Sequence, residues 1–439
     1  MRGFFYIYIR FVGMKKFANL YLVLLILIVF VPDKSNPIDY KGLHWMLWSG
    51  LNTVSLAYIF VKSKKVFLPK SPVLISFLLF FVVSCISTVV ALNKIESVVK
   101  LTDLYVIGSS LFIVYFLIYK KAIDLKFVLW LIAFKLFIEL VLVYYQLYYF
   151  TAGFTIDFSG GNSQFLKSSY GNKNVTSFAF LIQASLVFVL ISYVRAKYIK
   201  VLLSLTVLLT IFILFYISTR AVILSISLGI FIIVFLTTIK FIRSKANLLL
   251  DFKSFILYIL IVASSFLIFN ISNQDDDIEI TERVSQVIDS VDNESINSRV
   301  RFWTHALSSI KEKPILGRGI GNWRIFSTKY DSQNIYSYVV PYSTHNDFLE
   351  VFAETGIFGF LSYLAFFFFI LKKSFINVFK WTKLNLSINH AFILLCAIYF
   401  IIDSTLNFPI TRPLMQIVLI LFVIVNELID QNKNLNETI

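Results

Sequence analysis

Charge is scarce in this 439-residue chain: only 15% of its residues are charged, where soluble domains carry about 25%. That shortage excludes an ordinary soluble domain. Cysteine is nearly absent too. Cys85 and Cys396 each stand inside an apolar run, so no disulfide framework is implied. The first apolar run follows Arg2, Arg10, Lys15 and Lys16, as in a signal peptide. No small-x-small cleavage site comes after it, however, and the exit is Val31-Pro32-Asp33. An uncleaved first span is the expectation. No internal repeat or low-complexity segment is visible. The net charge of +15 does not point to nucleic acid, because Lys and Arg fall in short clusters between apolar runs. Such clusters report membrane topology.

What is abundant is apolar. The chain is 58% hydrophobic and 17% aromatic, with a mean hydropathy of +0.80. A run of about 20 apolar residues spans the hydrocarbon core as a helix, and lipid forces the backbone to satisfy its own polar groups. The reading is an all-α integral membrane protein of about twelve spans. They lie near 17–31, 43–61, 72–92, 101–119, 126–150, 174–194, 199–217, 220–239, 252–271, 348–371, 387–406 and 411–429. Basic clusters recur on alternate loops, at 62–70, 120–126, 195–200, 240–253 and 372–383, on the same side as the N-terminus. By the positive-inside rule that side is the cytoplasm, with both termini there. Three parts follow: transmembrane 1–271, an outer loop 272–347, and transmembrane 348–439 with a cytoplasmic end.

A loop of about 75 residues is far longer than a usual connection and should carry structure or function of its own. Its acidic start, Asp275-Asp276-Asp277 and Glu279, reads as a solvated face and supports no metal assignment. A helix is expected from Ser298 to Lys313, capped by Ser298 or Asn297 and stopped by Pro314. Val300, Trp303, Ala306, Leu307 and Ile310 form its apolar stripe. Arg299, one turn before Trp303, borders that stripe and either points inward or snorkels at the interface. Arg301 shares the opposite, wet face with His305. Gly317-Arg-Gly-Ile-Gly321 follows as a tight turn. It is no nucleotide loop, since no strand precedes it and no Gly-Lys-Ser/Thr is present.

Of four histidines, His345 has the most telling neighbours. Ser343 or Thr344 can cap a helix beginning near it, and the positive helix end disfavours a charged imidazole. A neutral His345 can act as general base near pH 7; a capping or satisfied interface histidine is the other reading. His44 enters a span beside Trp45, His305 sits on the wet face, and His390 lies near a cytoplasmic end. Arg220, in Ile-Ser-Thr-Arg-Ala-Val-Ile, stands at the outer membrane boundary with no acidic residue nearby. It is a functional candidate by its depth, with snorkelling as the alternative, and its fork suits a phosphate or diphosphate. Lys135 and Glu139, four apart, read as an internal ion pair.

Together these residues resemble a known family. Arg-x-x-x-Trp (Arg299, Trp303), Pro-x-x-Gly-x-Gly (Pro314 to Gly319) and His-Asn-x-aromatic-Leu-x-x-x-x-Glu-x-Gly-x-x-Gly (His345 to Gly359) look like the O-antigen ligase-like superfamily. Ser-Thr-Arg-Ala at Arg220 is similar to its intramembrane arginine motif, and Gly171-Asn172-Lys173-Asn174 to its Gly-Asn-x-Asn segment. The resemblance covers roughly 165–410. The superfamily comprises O-antigen ligases, some O-antigen polymerases and bacterial protein O-oligosaccharyltransferases.

The resemblance implies a membrane-embedded glycosyltransferase of GT-C type, independent of metal and cofactor and working among membrane lipids. It would take a glycan from undecaprenyl diphosphate at the outer face of the bacterial inner membrane and pass it, with inversion, to lipid A-core or another glycan. Arg220 and Arg299 would hold the donor diphosphate, and His345 would deprotonate or orient the acceptor hydroxyl. Asn346 and Glu354, with Gly356 and Gly359, would shape turn and helix; Asn172, Asn174 and Trp303 would support the site. Glu350 stands where glutamine is most often expected. A ligase is the first reading, with a polymerase as the alternative. The Arg-x10-Gly motif of some polymerases is missing, since position 231, eleven after Arg220, is Phe231. A protein O-oligosaccharyltransferase finds no appended acceptor-binding domain here. A flippase for lipid-linked glycan would need ionisable residues through several spans, whereas here they gather at one level.

Overall fold

With so few charges, the chain satisfies its backbone within helices. A computed structural model describes residues 2–32, 42–63, 65–150, 165–217, 219–244, 253–272, 294–332, 342–380 and 384–430. Among these residues there is no strand. The helices are α1 (Arg2–Val29), α2 (Gly42–Lys62), α3 (Pro72–Ser87), α4 (Lys94–Tyr119), α5 (Leu125–Phe150), α6 (Lys173–Tyr193) and α7 (Lys197–Ile217). They continue as α8 (Arg220–Ser244), α9 (Lys253–Ser272), α10 (Glu294–Glu312), α11 (Trp323–Asp331), α12 (Asp347–Lys380), α13 (Leu384–Leu406) and α14 (Pro413–Leu428).

Every one of the expected spans falls on a helix. Among the described residues, eight helices are long and apolar enough to cross a membrane: α3 to α8, α12 and α13. α9 and α14 contribute shorter apolar stretches, Ile256–Ile271 and Pro413–Leu428. α2 is diluted by buried polar positions. Its Asn52 receives the Tyr21 hydroxyl at 3.0 Å and donates to Val106 O and to the Ser109 and Ser110 hydroxyls, each at 2.9 Å. Such interhelical hydrogen bonds hold helices together where lipid gives no hydrophobic drive.

α6 and α14 are buried on nearly all faces and form the interior of the bundle. α12 packs on α3 and α13, α13 on α6 and α8, and α7 joins α6 to α9. The expected Lys135–Glu139 pair is present at 2.7 Å with both side chains fully buried. It is more than a pair: Lys135 Nζ also donates to Tyr170 (2.8 Å) and Gln183 (3.1 Å), and Gln183 donates to Glu139 (2.9 Å). Full hydrogen bonding is what makes a buried charge tolerable.

The polar segment carries α10 and α11, which rest on the beginning of α12 through Ala306, Ile310, Trp323, Phe326 and Ala353. Three expectations change here. α10 starts at Glu294 rather than at Ser298; no Gly or Pro stands between them, so a cap-type residue does not stop the helix. The buried face runs through Phe302, Ala306 and Ile310, while Val300 and Leu307 are exposed. Arg301 and His305 are not simply facing water. Both meet the buried Asp331 carboxylate of α11, at 2.9 and 3.2 Å. The acidic run at 275–279 lies outside the described residues.

Candidate active site

The polar segment returns to the bundle through two interlocked backbones. α12 is broken at Gly356, whose φ of 68° and ψ of −169° lie outside helical space. A break frees backbone groups that need partners, and the Pro314–Gly319 turn supplies them. Ile357 N donates to Pro314 O (2.9 Å), Arg318 N to Ala353 O (3.0 Å), and Gly319 N to Glu354 O (2.8 Å). A Cβ at Gly356 would overlap Ile315 O, and one at Gly317 would overlap the Glu354 carbonyl. The Glu354 carboxylate accepts from Trp323 N (2.7 Å) and Gly321 N (2.9 Å), so it holds the turn and α11 in place. These contacts explain the glycine and glutamate spacings without assigning them chemistry.

His345 sits just before that helix, and its cap differs from expectation. α12 begins at Asp347, and Asn346 is the cap, accepting from Leu349 N at 3.0 Å. Ser343 and Thr344 instead brace the turn. Ser343 Oγ accepts from His345 N (3.4 Å), and Thr344 Oγ1 donates to Asn346 O (2.7 Å). Glu350 accepts from Thr344 N at 2.9 Å. His345 is thereby held at φ 56°, a left-handed conformation that costs a non-glycine residue about 1–3 kcal/mol. Trp303 adds a brace from α10, its indole N–H donating to Thr344 O at 3.1 Å.

The imidazole packs edge-on against Phe408, with ring centroids 4.9 Å apart at 81°. Its Nδ1 is buried without a hydrogen-bond partner. Among the described residues no carboxylate orients the ring; the strained backbone and Phe408 do so. Burial first, then the charges of Arg299 and Arg412, push its pKa down from 6.5 to about 4. The ring is therefore neutral at pH 7, as a proton acceptor must be.

Arg299 is half-buried, one turn before Trp303, and its charge reaches His345. It makes no ion pair among the described residues. Arg412 was missed by sequence reasoning. It follows the Phe408–Thr411 turn between α13 and α14, and its guanidinium lies 4.6 Å from the Phe408 ring centroid. Asp347 ties this turn to the start of α12 by accepting from Ile410 N at 3.0 Å. The available signal was an arginine flanked by aromatic and proline residues at a span boundary.

Arg220, the first residue of α8, makes no hydrogen bond, ion pair or ring contact with this cluster among the described residues. Helix register nonetheless relates them. Gly229 of α8 meets Tyr399 and Leu395 of α13, while Leu236 clusters with Ala391 and Leu394. The two helices therefore run antiparallel. Nine residues before Gly229 is Arg220, about 13 Å along at 1.5 Å per residue, and α13 ends at Leu406, seven beyond Tyr399 and two before Phe408. Arg220 and Phe408 thus lie toward the same end of the α8–α13 pair. Asn172 is the cap of α6, accepting from Asn174 N (2.9 Å) and Val175 N (3.3 Å). Asn174 occupies the first turn of that helix. Gly171 and Arg412 line a common cavity of about 620 Å³, which links the Gly-Asn-x-Asn turn to the histidine cluster.

Among the described residues, no group of three or more His, Cys, Asp or Glu could hold a metal ion. The fold and the site define a multi-pass helical membrane protein in which a half-buried histidine feels the charges of two arginines where a polar segment rejoins the bundle. Residues 178–364 match a family model described as O-antigen ligase. No curated protein sequence matches the chain. This match over residues 178–364 supports the likeness to the O-antigen ligase-like superfamily, a group of membrane glycosyltransferase-like enzymes. The matched stretch contains Arg220, Arg299, Trp303 and His345; Asn172, Asn174 and Arg412 lie beyond it.

Proposed function

We propose that the protein is an O-antigen ligase of the bacterial inner membrane, with both termini cytoplasmic and its site facing the periplasm. It moves a glycan from undecaprenyl diphosphate to a hydroxyl of lipid A-core. The observation that carries this reading is an imidazole whose buried Nδ1 has no hydrogen-bond partner among the described residues and which feels the charges of Arg299 and Arg412. His345 accepts the proton of the acceptor hydroxyl as that oxygen attacks the anomeric carbon from the face opposite the leaving group. The bond from the anomeric carbon to the phosphate oxygen breaks, inverting the configuration, and undecaprenyl diphosphate leaves. Arg220, Arg299 and Arg412 take up the diphosphate's charge. Fixed cations aimed at charge that develops in the transition state supply large stabilisation, so the reaction needs no metal. Glu354, Asn346, Trp303, Asn172 and Asn174 hold the turns and caps that position these groups.

The test is lipopolysaccharide banding in a host lacking its own ligase. The wild-type gene is expected to restore a full ladder and His345→Ala to leave lipid A-core unextended. If the host needs this gene only to lengthen chains already bearing one repeat, the protein is a polymerase instead.

A further inference from the structure

A second cavity, of about 430 Å³, lies beside the histidine site and is used by none of the steps above. Its volume falls in the range of small-molecule sites, about 300–1,000 Å³. It sits between the first turns of α2, α4, α11 and α12, with Trp45, Trp323 and Tyr342 giving it aromatic surface. Two donors on its wall are uncommitted. Among the described residues Lys100 Nζ is buried with no hydrogen-bond partner, and so is the indole N–H of Trp323, a side chain only 1% exposed. Leaving a buried donor unsatisfied costs about 1–3 kcal/mol, so ligand oxygens fit both.

The charge of the wall selects the ligand further. Glu96, Asp103, Glu350 and Glu354 line it against Lys100 and Arg324, and Arg324 is already ion-paired with Glu96. Acidic side chains outnumber basic ones on this wall and Arg324 is taken up by Glu96, which leaves little to hold a phosphate. Aromatic faces with donors beside them suit a neutral, hydroxyl-rich ring. The cavity also touches the reacting region. Glu350 bonds the residue before His345, and Thr411, on the wall, precedes Arg412.

We infer that this cavity holds the acceptor sugar. Its oxygens accept from Lys100 and Trp323, its ring lies against Trp45 and Tyr342, and its reacting hydroxyl reaches His345. The anionic donor head is kept to the arginine side. This inference rests on the glycosyltransferase reading above.

The test uses purified full-length protein in lipid nanodiscs, a labelled undecaprenyl-diphosphate-linked glycan as donor, and purified lipid A-core as acceptor probe. Lys100→Met and Trp323→Phe remove the two donors, and Ser49→Trp, on the same wall, fills the space. Lys100→Met and Trp323→Phe are each expected to raise KM for lipid A-core about tenfold, the loss of one hydrogen bond to a charged or buried group, and Ser49→Trp at least as much by blocking the space, while KM for the donor stays within about twofold. An unchanged acceptor KM, or a donor KM that rises by the same factor, overturns the inference. If Ser49→Trp does not fold, Lys100→Met carries the test. Failure of the underlying reading looks different: the wild type then forms no product on lipid A-core, nor on a second lipid-linked glycan. Should the second lipid-linked glycan be the acceptor used, the same KM split is expected for it.

Discussion

The indole N–H of Trp303 donates to the carbonyl of Thr344, so a residue on α10 fixes the backbone of the residue preceding His345. One turn earlier on that helix, Arg299 projects its charge onto the same histidine. The Arg-x-x-x-Trp spacing thus joins a brace and a cation to a single target. Trp303→Phe keeps the ring but removes the donor, and a hydrogen bond of this kind contributes about 0.5–1.5 kcal/mol. We expect kcat to fall severalfold with little change in thermal stability. A loss of folding instead would mean that Trp303 serves packing alone.

The break in α12 sets a second expectation. Gly356→Ala would place a Cβ against Ile315 O on a backbone at φ 68°, and strain of this kind costs about 1–3 kcal/mol or more. Gly50 of α2 has open space around its Cβ position, so Gly50→Ala should be neutral or stabilising by about 0.5–1 kcal/mol. Thermal melts of the two variants in detergent are expected to diverge, Gly356→Ala melting well below wild type. Equal melting temperatures would show that the interlocked turn does not need this conformation.

His345 predicts a donor-dependent pH response. Burial and the two guanidiniums hold its pKa at about 4. Without donor it therefore stays neutral above about pH 4 and loses base function only as pH falls through that value. A bound diphosphate cancels the push of Arg299 and Arg412 and leaves burial alone, so the ring titrates higher. kcat/KM reports the free enzyme and kcat the complex. The acid limb of kcat is expected at higher pH than that of kcat/KM. Coincident limbs would contradict a diphosphate between these arginines. The unfolded ring takes its proton near pH 6.5, so the same depression makes folded stability fall as pH drops from about 6.5 to 4.

The arginines can be ranked by geometry. Lys keeps the charge but loses the bidentate fork, so Arg220→Lys should be nearly as damaging to donor use as Arg220→Ala. Arg412→Ala should raise KM for the donor, because it removes a guanidinium whose charge bears on His345. Donor kinetics of the purified variants check both. Full activity in Arg220→Lys would leave Arg220 as a membrane anchor.

The sequence made the helical membrane class legible because 3.6-residue elements in lipid need long apolar runs, and these are unmistakable here. It also showed that Arg299 and Trp303 lie one turn apart, since residues four apart share a helix face. Long-range pairings were not readable. Nothing local shows that Asp331 gathers Arg301 and His305, or that the Pro314–Gly319 turn fills the break at Gly356. Arg412 stayed hidden because its proposed role comes from a turn placed beside His345 by Asp347 and Ile410, 63 residues apart in sequence. The start of α12 was misplaced by two residues because Ser343, Thr344 and Asn346 are all competent caps, and only the tertiary contacts of Thr344 with Trp303 and Glu350 choose among them.

The most direct measurement is single-turnover transfer from a labelled undecaprenyl-diphosphate-linked glycan by purified wild type and His345→Ala in nanodiscs, with donor binding measured on the same samples. The expected result is donor binding retained by the variant with transfer lowered at least a hundredfold, the lower range for loss of a general base. Transfer at the wild-type rate by His345→Ala would contradict the assignment of this histidine as the proton acceptor.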